Sequence, residues 1–153
     1  MDPLSIIKLI IVSATPLIEQ RGSIPIGAYL NYNPWEVYCW TLLGAMIPAP
    51  FVLWLMPHII EILKKIKFLD KLAYWYENRA LKKCEKVKDN YKYVSIFLFV
   101  AIPIPGTGVW TGSTIASLLK LDYKKSLFAV ILGAAMAGFL LILISYGVKI
   151  LVI

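Results

Sequence analysis

From Val37 to Ile60 the chain runs 24 residues without a formal charge, and from Ser126 to Val148 it runs another 23. An α-helix rises about 1.5 Å per residue, so about 20 apolar residues cross the ~30 Å hydrocarbon layer of a bilayer. Both runs are long enough, and both are expected to be transmembrane helices. The composition agrees: 59% of the 153 residues are hydrophobic and the mean hydropathy is +0.73, which argues against a soluble domain. A cleaved leader is not expected. Residues 1–14 lack a basic start, Lys8 interrupts their apolar run, and Pro16 follows closely on the small-residue site Val12-Ser13-Ala14.

The net charge of +7 is concentrated. Residues 61–92 hold ten Lys/Arg and five Asp/Glu, so they supply +5 of it. A basic stretch beside membrane helices is retained in the cytoplasm. A nucleic-acid partner is not expected, because neither a folded basic face nor a known motif is visible. Cys39 falls in a span and Cys84 in the basic stretch, so neither a disulfide nor a metal pair is expected.

Two further apolar segments are interrupted by Pro/Gly-rich breaks, Thr15 to Pro25 and Pro103 to Gly112. An offset of 89 residues partly overlays the chain on itself: Pro16 on Pro105, Leu30 on Leu119, Asn33 on Asp122, and Leu43-Gly44-Ala45 on Leu132-Gly133-Ala134. The order of features repeats as well: apolar half, break, apolar half, polar turn, long span. Paired interrupted segments in corresponding halves point to a transporter site near the membrane midplane.

Tyr93 to Leu119 is 27 residues without a charge, and its break leaves halves of 10 or 11 residues, each reaching about half a bilayer. Lys120, Lys124 and Lys125 follow at once. One kinked crossing would put them opposite the basic residues 61–92; a re-entrant hairpin keeps both patches in the cytoplasm, as the positive-inside tendency prefers. Pro3 to Ile18 is short for a crossing, and Lys8 can snorkel to an interface. The expected fold is therefore an all-α integral membrane protein of one domain, an inverted repeat of re-entrant helical hairpin plus transmembrane helix. Repeat one covers 3–60 and repeat two 93–153, joined by a basic linker at 61–92. In that linker Ile62, Ile66, Leu69, Ala73, Tyr76, Ala80, Cys84 and Val87 recur at helical spacing, predicting one amphipathic cytoplasmic helix. It either packs on the bundle or lies on the anionic leaflet, where Tyr74, Trp75 and Tyr76 suit headgroup depth.

Glu19 and Arg21 are the charges expected deepest in the membrane, where a lone charge costs at least about 2.5–3.5 kcal/mol. At i and i+2 they would diverge on a helix, but in a loop with Gly22 and Pro25 they can pair. One reading is a structural ion pair tying the hairpin. The other makes Glu19 a protonatable or coupling group and Arg21 the holder of an anionic headgroup. The second break has no charge; Pro105, Gly106, Thr107, Gly108, Trp110 and Thr111 offer backbone N–H groups, two hydroxyls and an indole. It is either a structural turn or a site where N–H groups at a half-helix start attract anions. A nucleotide loop is not expected, since no strand precedes it and no lysine follows.

Lone His58 reads as an interface residue, Gly133, Ala134, Ala137 and Gly138 permit close helix contact within the chain or in a dimer, and Pro48, Pro50 and Pro57 kink the first span. No nucleophile–base set is apparent, so an enzyme is not expected, nor a metal or cofactor.

Glu19-Gln20-Arg21-Gly22-Ser23-Ile24-Pro25, together with Pro103 to Gly112, resembles the family of small multidrug export proteins, which looks like a compact, distant relative of the DedA/VTT membrane proteins. The resemblance covers nearly the whole chain. It implies two facing membrane-embedded hairpins, each followed by a transmembrane helix, and a transport role. DedA/VTT relatives are associated with moving lipids, polyprenyl phosphates among them, and with proton-dependent drug tolerance. Glu19 matches the acidic position of their first hairpin; the arginines they place in or after the second hairpin have no counterpart here. The expected function is a transporter or lipid translocator of the plasma membrane, homodimeric, with membrane lipids as partners. Its substrate would be an amphiphile with an anionic headgroup. Rival readings are an ion-coupled exporter of small cationic drugs and a non-transporting scaffold acting through residues 61–92.

Overall fold

The computed structural model describes residues 1–16, 18–65 and 89–152, and among them every element is a helix. In chain order these are α1 (Pro3–Ala14), α2 (Glu19–Tyr29), α3 (Pro34–Met46), α4 (Pro48–Lys65), α5 (Asp89–Ala101), α6 (Val109–Leu118) and α7 (Tyr123–Val152). The amphipathic stripe read between Ile62 and Val87 lies almost wholly outside the described residues.

Local chemistry sets most of the boundaries. Asp2 caps α1 by accepting the Ser5 N–H at 3.1 Å, and Pro3 fills a first-turn position where no N–H is needed. The helix stops before Pro16, with Thr15 in the extended conformation that a residue preceding proline prefers. Asn33 caps α3 through the N–H groups of Trp35 and Glu36, and Asp122 caps α7 through that of Lys125. These two caps stand 89 residues apart.

The turns before them match at the same offset. Asn31 and Lys120 both take left-handed backbone, at φ 59° and 51°. Tyr32 N–H reaches back to Gly27 C=O, and Leu121 N–H to Ala116 C=O, both at 3.1 Å. This is the return bond of a helix C-terminus closed by a left-handed residue.

Each pair of short helices closes on the end where it began. The Ser5 hydroxyl near the start of α1 meets the Tyr32 hydroxyl after α2 at 2.7 Å. Near the start of α5, the Tyr93 hydroxyl accepts the Asp122 N–H after α6 at 3.1 Å. Both pairs are therefore hairpins.

The helices α3 and α4 are parted only at Ile47, because Pro48 has no N–H to continue the ladder, whereas Pro57 sits inside α4 without ending it. Pro34–Ile59 and Tyr123–Val148 are each 26 residues of apolar helix, about 39 Å long. They run antiparallel: Tyr38 OH donates to Ala135 C=O in mid-span, while Tyr146 OH near the far end of α7 donates to Tyr32 C=O just before α3. Gly44 lets α1 approach until a Cβ would strike the Ile10 carbonyl, and Gly133 does the same for α5 at the Phe97 carbonyl. Each hairpin packs on its own span, and its second helix also crosses to the other half, α2 onto α7 and α6 onto α4. Two buried clusters fill the interior, one with Val100, Val109 and Val130, the other with Leu9, Ile24 and Val37. Outside, Ile7, Ile11, Phe51, Trp54, Phe128, Leu143 and Ile144 are more than half exposed, an apolar surface suited to lipid.

The interruptions are shorter than the spread of Pro and Gly implied. Gly22 and Pro25, expected in a loop, are helical residues of α2, and Trp110, Thr111 and Gly112 belong to α6. A proline tolerates a helix if the carbonyl four residues back, here that of Arg21, gives up its N–H partner.

Candidate substrate site where the two breaks meet

The first turn of a helix carries backbone N–H groups with no partner of their own. In α6 the residue before that turn is Gly108, which has no side chain to cap it. The missing acceptor comes from the other half of the chain. Glu19 Oε2 accepts the Val109 N–H and Oε1 the Trp110 N–H, each at 3.2 Å. A Cβ on residue 108 would fall on that carboxylate, so any other residue there must push it off its donors.

Glu19 reaches α6 because its own backbone is left-handed, with φ 46°, at the start of α2. That conformation costs a non-glycine residue about 1–3 kcal/mol. It also removes the objection that i and i+2 diverge on a helix: Arg21 Nη1 donates to Glu19 Oε2 at 3.2 Å, with both side chains largely buried. Arg21 Nη2 donates to Thr107 Oγ1 at 2.9 Å and to Ile102 C=O at 3.3 Å. Thr107 Oγ1 in turn donates within its own break, lying 2.8 Å from the carbonyls of both Ile102 and Ile104. Trp110 Nε1 donates to Ala14 C=O at 3.1 Å, a second tie between the breaks. The negative charge sits on the positive end of α6, which lowers its energy further.

Beside this junction opens a cleft of about 260 Å³ lined by Pro16, Glu19, Arg21, Gly106, Gly108, Trp110, Thr111 and Thr114. Six of the residues singled out from sequence therefore share one cleft, and Thr107 is bonded to its arginine. Gly106 makes the turn with φ 87°. Gly22, Pro25 and Pro105 do not line it: Gly22 faces Ile18 within the hairpin, and Pro25 and Pro105 are exposed. Thr114, whose hydroxyl donates to Trp110 C=O at 2.8 Å, was missed because one threonine in an apolar helix gives no signal until the helix is placed. Gln20 was missed too. It is 4% exposed, and its amide nitrogen has no hydrogen-bond partner among the described residues. Its signal was available: an uncharged polar side chain between two charges in an apolar segment.

Elsewhere, His58 Nδ1 lies 2.9 Å from Trp54 C=O on an exposed face, a local contact. Among the described residues no three His, Cys, Asp or Glu side chains cluster as metal ligands would.

Two antiparallel apolar helices, each long enough to cross a bilayer, pack around a junction of buried charge, as suits a small helical membrane protein. The chain belongs to the family described as "Putative small multi-drug export protein", which matches residues 19–140, well over half its length. No curated protein and no solved structure matches it.

Proposed function

We propose that this chain is a membrane exporter whose substrate site is the cleft between the two breaks, and that its substrate is an amphiphile with an anionic headgroup, such as a polyprenyl phosphate or a phospholipid. One observation carries the reading: the seat of the Glu19 carboxylate. Two N–H groups of the first turn of α6 and one arm of Arg21 hold an anion there. Phosphate oxygens accept the same kind of bond from the same donors. Glu19 is then the resident anion, and a substrate headgroup binds by displacing it. Proton coupling belongs to the same proposal: a neutral Glu19 would hold these donors less tightly than a carboxylate and yield the seat more readily to a headgroup. No covalent step is involved.

The membrane arrangement proposed with this is an inverted repeat of re-entrant hairpins in the plasma membrane, with residues 61–92 cytoplasmic and two copies per assembly. The antiparallel spans, the hairpins and the matched caps at an offset of 89 support it. A distant kinship with DedA/VTT proteins is part of the same proposal.

A rival, export of small cationic drugs, draws support from the pairing of Arg21 with Glu19, which leaves the cleft formally neutral, and from the Trp110 ring in its lining. Translocation of a labelled polyprenyl phosphate in proteoliposomes separates the two. The anionic reading expects competition by lipid phosphates and none by cationic drugs; the reverse pattern rejects it.

A further inference from the structure

Away from the cleft, α5 and α7 leave between them a groove of about 510 Å³ at the end where Lys124 and Lys125 stand. Its walls are apolar, with Phe97 on α5 and Phe128 and Leu132 on α7. Its mouth is cationic. Lys125 Nζ lies 5.9 Å from the centre of the Tyr93 ring, and neither lysine forms an ion pair among the described residues. The acid beside them, Asp122, is committed to capping α7 through the Lys125 N–H. Both cations also sit on the first turn of α7, the positive end of its dipole, where a helix favours anions. An apolar groove with two cations at its mouth, placed against that dipole, calls for an anion carrying a hydrocarbon chain.

We propose that this groove is a binding site for an anionic phospholipid, distinct from the substrate cleft and independent of the function assigned to it. The phosphate sits between Lys124 and Lys125, and one acyl chain lies along Phe97, Phe128 and Leu132. The dimensions agree. Leu132 is eight residues beyond Lys124, about 12 Å along the helix, close to the ~15 Å depth of one hydrocarbon leaflet. The volume falls within the range of about 300–1,000 Å³ typical of ligand sites.

The test is lipid titration of the full-length protein in detergent, read by native mass spectrometry, with phosphatidylglycerol and phosphatidylcholine of matched chains. A lysine facing an anionic lipid is worth about fivefold in affinity, so the K124Q/K125Q double variant should bind phosphatidylglycerol about 25-fold more weakly, while phosphatidylcholine, whose choline offsets its phosphate, should weaken far less. Leu132→Trp, an exposed position, should weaken both lipids at unchanged melting temperature by blocking the chain. Undiminished preference for phosphatidylglycerol in the double variant would overturn the proposal and assign the selectivity to the basic residues 61–92. Equal loss of both lipids in the double variant would overturn it as well.

Discussion

Gly108→Ala puts a methyl group where the Glu19 carboxylate lies. A flexible side chain normally swings away from such a clash at little cost. This one is held by the N–H groups of Val109 and Trp110 and by Arg21, so it moves only by releasing them. Each buried N–H left without a partner costs about 1–3 kcal/mol, and two are at stake, giving about 2–6 kcal/mol. For a chain of this size each kcal/mol lowers the melting temperature by about 2–4 °C, so the fall should be at least ~4 °C. Tryptophan fluorescence during thermal unfolding in detergent measures it. Gly147→Ala is the control: the site has open space around it, lies within α7 and should be neutral or slightly stabilising. Glu19→Gln should also destabilise, and the double variant Gly108→Ala with Glu19→Gln should fall by less than the sum, since both remove the same contacts. A Gly108→Ala protein that melts with wild type would refute the junction.

Other positions give sharper or milder effects. Arg21→Ala leaves a buried carboxylate without its cation and should cost about 3–5 kcal/mol in the same unfolding assay; Arg21→Lys should recover only part, since an ammonium lacks the fork that spans Glu19 and Thr107. Gly44→Val and Gly133→Val drive a side chain into the backbone of α1 and α5, and both should lose the monodisperse folded peak on size-exclusion chromatography. Asn33→Ala and Asp122→Ala remove caps at equivalent places and should each cost about 1 kcal/mol; a loss at one position only would break the equivalence of the two halves.

The two long apolar helices were legible because a charge-free run of that length has no polar turn to end it. Their matched turns were legible in outline, through Asn33 and Asp122 at an offset of 89. The helix starts were not. Pro25 and Gly22 read as breakers, yet α2 absorbs both, since one lost N–H is tolerated within packed helices. The pairing of Glu19 with Arg21 depended on a left-handed φ at a non-glycine residue, which no propensity predicts. The capping of α6 by Glu19 spans 90 residues and was legible only as two halves: a half-helix start offering N–H groups, and a membrane-deep carboxylate whose one evident partner was Arg21. Gln20 carried a signal, a polar side chain between two charges in an apolar segment, but its burial became visible only once the helices were placed.

The most direct measurement on the proposed substrate cleft is translocation of labelled polyprenyl phosphate in proteoliposomes by wild type and by Thr111→Val. Thr111 lines the cleft, its hydroxyl is engaged by no hydrogen bond among the described residues, and valine keeps its volume. The expected result is transport by wild type and a marked loss in Thr111→Val at unchanged melting temperature. Equal transport by both, or none by folded wild type, would contradict a headgroup site in that cleft.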